Sequence, residues 1–599
     1  MKEFSRPALV ARVTSGGLTD PVVDNATTHP DQVVMVKRHG DTWVDVTARQ
    51  FLAEVKGVAK GLIAAGISPG NSVAIMSRTR YEWTLVDYAI WYAGGVSVPI
   101  YETSSAEQVQ WIVSDSDAVG VFLEGAKTSM VYDEAASPDA LPAVRNVWQF
   151  DEGAVAELTA AGAGVSDEQL EASRVTVTPD SICTIIYTSG TTGRPKGCVL
   201  THGNFMFECD NIVAGLPELF SEAGSSTLLF LPLAHVFGRT IQIGSVRART
   251  RLGFAPDVTN LLADLAAFNP TFVLSVPRVF EKIFNGSQLK ATSEGKGSIF
   301  ETAARAAIDY SRALDTGGPG LPLKAKHALF DRLVYGKLRA ALGGNVAWAV
   351  SGGAPLGERL GHFFRGIGVT ILEGYGLTET SAAATLNLPS AIKIGTVGKP
   401  IPGCTIGIAD DGEVLIKGDF VFRGYWKNDA ATHEAIDADG WFHSGDLGDI
   451  DSEGYLRITG RKKEILITSS GKNVAPAVLE DRLRANWLVS QCMAVGDKQP
   501  FIACLVTLDH ESVHGWLRLK GRPTTTTLED LTTDPEILAE IQAAVDEANK
   551  AVSHAEAIRK FTVLPIDWTE ANGLLTPSLK LKRSEVMARH REDVDALYS

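Results

Sequence analysis

Tyr187-Thr188-Ser189-Gly190-Thr191-Thr192-Gly193-Arg194-Pro195-Lys196-Gly197 decides how the rest of the chain reads. It follows a short apolar run, residues 182–187, that predicts a buried strand, and it leads to a helix for which Thr201 is the expected N-cap. The hydroxyl and glycine positions offer free backbone N–H groups and side-chain donors. Its three glycines permit the positive-φ conformations that wrap a phosphate, and Lys196 adds a point charge. A Ser/Thr/Gly-rich surface loop is the plain alternative. The order strand, loop, lysine, helix favours a phosphate cradle over it. The G-x-x-x-x-G-K-[ST] spacing is absent, which disfavours a P-loop ATPase or kinase.

Outward from this loop, short continuous apolar runs recur at residues 73–76, 118–123, 228–231, 272–274 and 369–372. Such runs predict strands buried on both faces, in sheets covered by helices. Phe51, Val55, Val58 and Leu62 fall at helical spacing, with Gly66 where a C-terminal cap belongs. Gly/Pro/Asp-rich text follows over 395–418, with strand-like pieces at 405–409 and 413–417. After Gly460 strands at 492–495 and 501–508 alternate with helices, one opening at Asp534-Pro535-Glu536 with a capping Asp and a first-turn Pro. The expected division is a large α/β body over residues 1–459 and a small α+β domain over 460–599. At about 150 residues per domain, 599 residues make roughly four such units.

Apolar residues at 45% exclude a mainly disordered chain, and 57 glycines without a G-X-Y period exclude a collagen-like one. A net charge of −15 repels a polyanion, so no nucleic-acid partner is expected. Cysteines 183, 198, 209, 404, 492 and 504 lack C-x-x-C spacing and read as buried, reduced thiols, which implies a cytoplasmic location. The opening MKEFSRPALVARVTSGG lacks the apolar core of a secretory signal. The most apolar stretch, 83–101, is broken by Asp87 and Gly94-Gly95 and is too short to span a bilayer. Membrane contact is therefore expected to be peripheral, at the inner face. The basic clusters Arg247, Arg249, Arg251 and Lys324, Lys326 read either as a solvated face or as a dock for anionic lipid. Monomer and homodimer both remain open.

Further motifs follow the loop in order. They are Pro232-Leu233-Ala234-His235-Val236-Phe237-Gly238, Ser351-Gly352-Gly353-Ala354-Pro355 and Gly374-Tyr375-Gly376-Leu377-Thr378-Glu379-Thr380. Ser444-Gly445-Asp446, Gly460-Arg461-Lys462-Lys463-Glu464 and Thr576-Pro577-Ser578-Leu579-Lys580-Leu581-Lys582-Arg583 complete the series. Together, over residues 45–585, they resemble the ANL superfamily of adenylate-forming enzymes, which includes acyl-CoA synthetases, luciferases and nonribosomal-peptide adenylation domains. Ser275-Val276-Pro277-Arg278-Val279-Phe280-Glu281-Lys282, Thr459 to Ile465 and Gly471-Lys472-Asn473-Val474-Ala475-Pro476 resemble the bacterial long-chain fatty-acid–CoA ligase branch. Many members carry Ser-Gly-Lys where this chain has Ser578-Leu579-Lys580, and the Leu fits that same branch.

The resemblance implies helix-covered sheets, a distorted β-barrel-like part and a mobile C-terminal lid. It implies a ligase that joins a long-chain fatty acid to CoA through an acyl-adenylate, using ATP and Mg2+. A carboxylate attacking the α-phosphate brings two anions together, so positive charge and a metal are needed to lower the repulsion. By resemblance Thr188 and Glu379 hold magnesium, and hard oxygen ligands suit that ion. Nucleotide binding is assigned to Thr188, Ser189, Gly190, Thr191, Thr192, Gly193, Lys196, Gly353, Ala354, Pro355, Glu373, Gly374, Tyr375, Gly376, Thr378, Asp446 and Arg461. Tyr375 offers a face to adenine, and Asp446 accepts from the ribose hydroxyls. His235 faces the reacting carboxylate or gates the acyl tunnel, and Lys580 stabilises the adenylation transition state. Lys463 is the hinge, and Gly471 lies beside the pantetheine path. The main rival is a fatty-acyl-AMP ligase that passes its adenylate to a carrier protein. An amino-acid adenylation domain and a non-catalytic nucleotide-binding scaffold are the others. Retention of Lys196, Glu379 and Lys580 counts against the scaffold.

Overall fold

The computed structural model describes residues 1–40, 42–136, 140–188, 194–220, 224–256, 260–576 and 580–599. A seven-stranded sheet carries the phosphate-loop strand Ile182–Thr188. Beside it run Val96–Ile100, Ser72–Met76, Ala118–Leu123 and Asn146–Gln149, all parallel. Three of these, Val96–Ile100, Ser72–Met76 and Ala118–Leu123, are buried at every position, as their unbroken apolar text predicts. The helix Ala48–Ala64 buries Phe51, Val55, Val58 and Leu62 against this core. Thr47 caps it, and Gly66 follows its end at φ +85°.

A second sheet places Phe272–Ser275, Trp348–Ser351 and Thr370–Tyr375 in parallel, then adds Thr385–Leu386 and Lys399–Pro400 antiparallel. Thr370–Tyr375 runs past the expected end at residue 372 and so carries Glu373, Gly374 and Tyr375 to the sheet's rim. A third sheet orders Ser226–Leu229, Arg251–Phe254, Val33–His39 and Thr42–Thr47. The fourth is an antiparallel, half-barrel-like sheet of Lys2–Ser5, Thr405–Ile408, Glu413–Lys417, Phe442–Ile450 and Leu456–Arg461. Its edge strand, Lys2–Ser5, pairs with Thr405–Ile408, a contact across about 400 residues that local text does not announce.

Beyond the turn Lys462–Glu464, a three-stranded sheet of Val489–Val495, Ile502–Leu508 and Ile558–Leu564 packs against helices that include Pro476–Arg484 and Pro535–Asn549. Asp534 caps the latter, accepting from the Glu536 and Ile537 N–H groups. All six cysteines are free and buried. Among the described residues no helix is long and apolar enough to cross a membrane.

Candidate active site

The phosphate loop leaves the sheet at Thr188 and returns at Lys196, which pair in antiparallel register. Residues 189–193, and with them Ser189, Gly190, Thr191, Thr192 and Gly193, lie outside the described residues. On the return arm Pro195 O accepts from Trp111 Nε1 at 2.9 Å, and Arg194 sits over the Trp111 ring. The expected order of strand, loop, lysine and helix needs one correction. Lys196–Thr201 is itself a strand, because Cys198 and Leu200 bury completely between Ile182–Thr188 and Gly424–Tyr425. The helix His202–Gly215 starts only afterwards, with Thr201 as its N-cap as expected. Its positive end is thus removed from Lys196 by a six-residue strand, about 20 Å, so its dipole does not serve the loop.

Glu379 stands at the tip of an excursion between Thr370–Tyr375 and Thr385–Leu386. Its carboxylate Oε1 accepts from Tyr425 Oη at 2.8 Å, and its backbone oxygen accepts from Phe422 N at 2.7 Å. Tyr425 belongs to a strand paired with Lys196–Thr201, and Lys196 Nζ lies 5.1 Å from its ring centroid. Thr188 Oγ1 is 3.8 Å from Cys198 Sγ, and burial followed by the Glu379 charge pushes that thiol's pKa up. Thr188, Lys196 and Glu379 therefore surround one spot. Thr378 begins the short turn that carries Glu379.

Asp446 lies in a strand, Phe442–Ile450, and not in the turn that Ser-Gly-Asp text suggests; Gly445 takes φ +71° within that strand. Buried to 4% exposure, Asp446 accepts from Tyr375 Oη at 2.7 Å and pairs with Arg461 Nε at 2.9 Å. One oxygen serves each partner, and each keeps a free lone pair. Glu373 Oε1 accepts from Leu356 N at 2.8 Å, tying the loop of Gly353, Ala354 and Pro355 to the sheet. Burial pushes the Glu373 pKa up to about 7, with Asp481 and Glu358 adding to it.

His235 caps the helix Val236–Ala248: its Nδ1 accepts from Phe237 N at 3.2 Å. Burial, and then the Lys580 charge, lower its pKa to about 3. The ring is neutral at pH 7, and with Nδ1 accepting, its proton sits on Nε2. Lys580 enters from the C-terminal unit. Surrounding protein and then Arg461 pull its pKa down, while Asp446, Glu379 and Glu464 oppose them. A cleft of about 2620 Å³ is lined by Gly353, Tyr375, Gly376, Asp446, Lys463 and Lys580. That exceeds the several hundred Å³ of a one-ligand pocket.

The structure thus brings together Thr188, Lys196, His235, Glu379, the 353–355 and 373–376 segments, Asp446, Arg461 and Lys580. Gly471 is not among them. It occupies a turn of the C-terminal unit, at φ +81°, with open space where a Cβ would stand. Of the basic clusters, Arg247 pairs with Asp210 and Arg251 with Asp45, so two of those charges are already answered. Tyr425 was not legible as a site residue, since Gly424-Tyr425-Trp426 carries no spacing that marks it.

A family model described as AMP-binding enzyme matches residues 22–426, and one described as AMP-binding enzyme C-terminal domain matches residues 463–599. Long-chain-fatty-acid–CoA ligase FadD15 of Mycobacterium tuberculosis is 50% identical over 600 residues, covering 100% of both chains. Putative fatty-acid–CoA ligase fadD11 of the same organism is 39% identical over 430 residues, covering 71% of this chain and 74% of its own. Among solved structures, a Mycobacterium tuberculosis fatty acyl CoA synthetase superposes with TM-score 0.62 at 23% identity, covering 96% of this chain and 99% of its own. The adenylation domain of a carboxylate reductase from Mycobacterium chelonae gives 0.73 at 22%, covering 97% and 91%. At such identities the likeness is one of fold. Through the family model and the full-length relative, the chain belongs to the AMP-binding enzymes of the adenylate-forming ANL superfamily.

Proposed function

We infer that this chain is an AMP-forming long-chain fatty-acid–CoA ligase. The observation that carries the adenylating chemistry is Lys580, which the C-terminal unit delivers into the cleft that holds Tyr375 and Asp446 and within electrostatic reach of His235 and Glu379. The length of the acid and the CoA acceptor are supported by the full-length relative FadD15.

In the first half-reaction a carboxylate oxygen attacks the α-phosphate of ATP, forming acyl-adenylate as diphosphate leaves. Asp446 takes the ribose hydroxyls on its free lone pairs, and Tyr375 lies against the adenine. His235 presents Nε2–H and so acts towards the carboxylate as a donor and not as a base. The Lys580 ammonium offsets charge where the two anions meet. Thr188 and Glu379 fit magnesium: both offer hard oxygens, and Tyr425 donates to Glu379 Oε1. A bound magnesium there supplies positive charge to the triphosphate. In the second half-reaction the thiol of CoA attacks the acyl carbonyl and AMP leaves. In this reading residues 1–459 form the body and 460–599 a lid that turns near Lys463, withdrawing Lys580 and bringing the Gly471 turn to the thiol's path.

The test supplies purified protein with MgATP, CoA and saturated acids of increasing length. Acyl-CoA and AMP are expected, with long acids preferred, since each buried CH₂ contributes about 0.8 kcal/mol. Adenylate without thioester for every acid would overturn the reading in favour of a fatty-acyl-AMP ligase. Peripheral contact with lipid belongs to the same proposal. The helix Leu321–Phe330 exposes Leu321 at 81% and Leu329 at 57% beside Lys324 and Lys326. Sedimentation with vesicles containing anionic phospholipid is expected to recover the protein, and neutral vesicles much less. Equal recovery with both would remove it.

A further inference from the structure

Glu208 lies on the helix His202–Gly215, wholly buried, and among the described residues it pairs with no cation. Its Oε1 accepts from Ala383 N at 2.6 Å, and its Oε2 lies 3.2 Å from Thr240 Oγ1. Thr240, on the helix that His235 caps, donates to Ser381 O at 2.7 Å. A threonine hydroxyl has one hydrogen. Ser381 O is a pure acceptor at the shorter distance and takes it. Thr240 Oγ1 then turns a lone pair to Oε2, a contact that a protonated Glu208 completes as the donor.

The segment these bonds hold is the excursion that bears Glu379. Ser381 and Ala382 take φ +57° and +143°, unfavourable for residues with a side chain. A Cβ on Gly376 would stand 1.7 Å from Ala382 O, so the turn closes against bare backbone. Such a conformation persists only where its surroundings impose it. Glu208 grips Ala383, Thr240 grips Ser381 O, and Ser381 Oγ donates to Phe420 O at 2.7 Å.

We propose that Glu208 is a positioning residue for adenylation: as a neutral carboxylic acid it couples the His235 helix to the strained turn and so fixes where Glu379 stands. The coupling requires the proton and breaks when it leaves. Around it, Cys209 is a buried thiol on the same helix, Asp210 pairs with Arg247, Arg239 on Thr240's helix turns to Asp87, and Glu379 turns to Tyr425. None supplies a positive charge that would hold Glu208 ionised. Burial alone pushes its pKa up to about 8, with the bond from Ala383 N–H opposing it. This proposal rests on the ligase reading above.

Glu208→Gln tests it, because the amide reproduces the neutral acid: its oxygen accepts from Ala383 N and its NH₂ donates to Thr240 Oγ1. Two measurements are made on the full chain. The first is fatty-acid-dependent ATP–diphosphate exchange from pH 6 to 10, which leaves the CoA thiol out of the profile. Wild-type exchange is expected to fall as pH rises through about 8. Glu208→Gln should stay within about threefold of wild type at pH 7, under 1 kcal/mol, and lose that fall. The second is the thermal midpoint against pH. A carboxyl with a raised folded-state pKa gives its full stability below the unfolded value and loses it as pH rises to the folded one. The wild-type midpoint should therefore drop relative to Glu208→Gln between pH 5 and pH 8. A Glu208→Gln protein slowed more than about tenfold at pH 7, or an unchanged alkaline fall with a flat midpoint difference, overturns the proposal. Absence of exchange by wild type at every pH would remove the ligase reading instead, and the midpoint comparison would still judge the proton on Glu208.

Discussion

Glu379 is held by Tyr425, whose hydroxyl donates to its carboxylate Oε1 at 2.8 Å. A hydrogen bond to a charged group is worth about 1.5–3 kcal/mol. Tyr425→Phe removes it while keeping the ring beside Lys196. ATP binding measured calorimetrically should weaken about tenfold or more in magnesium and stay unchanged in EDTA. Equal weakening in both would mean that Tyr425 only shapes the pocket. His235 illustrates what residue text conveys. The Pro-Leu-Ala-His-Val-Phe-Gly motif marks the position, but which ring nitrogen bears the proton follows only from the Phe237 N–H bond. Glu208 and Tyr425 left no mark in the text, because their roles are made by partners about 175 and 46 residues away in sequence.

Elements were legible where burial is uniform. Ser72–Met76 and Ala118–Leu123 are parallel strands covered on both faces, so unbroken apolar runs identify them. Legibility failed where a strand is short or bent. Lys196–Thr201 begins with Lys and Gly, and its strand character comes from pairing with two neighbours at once. Phe442–Ile450 contains Gly445 and a register shift after Leu447, so a turn-like triplet sits inside a strand and Asp446 is aimed inward. Thr188 and Lys196 thereby face each other as paired ends of neighbouring antiparallel strands.

At the scale of the molecule, the two units meet through Arg278–Asp509 at 3.0 Å and Arg359 to the Ala485 oxygen at 3.4 Å. Within the C-terminal unit Arg583 links Glu464 and Glu480, tying the Lys580 segment to the Lys462–Glu464 turn. In this arrangement Lys580 lies within electrostatic reach of His235, Asp446 and Glu379. Lys580→Ala should slow acyl-adenylate formation by about 10²-fold or more, while thioester formation from pre-made acyl-adenylate stays near wild type. Equal loss in both half-reactions would contradict a turning lid. Lys2–Ser5 also sets the timetable of biosynthesis. Its partner strand Thr405–Ile408 leaves the ribosome some 400 residues later, about 20–80 s at ordinary elongation rates. Through that interval the edge of the half-barrel does not yet exist, and the leading segment waits unpaired for the nascent chain to build its seat.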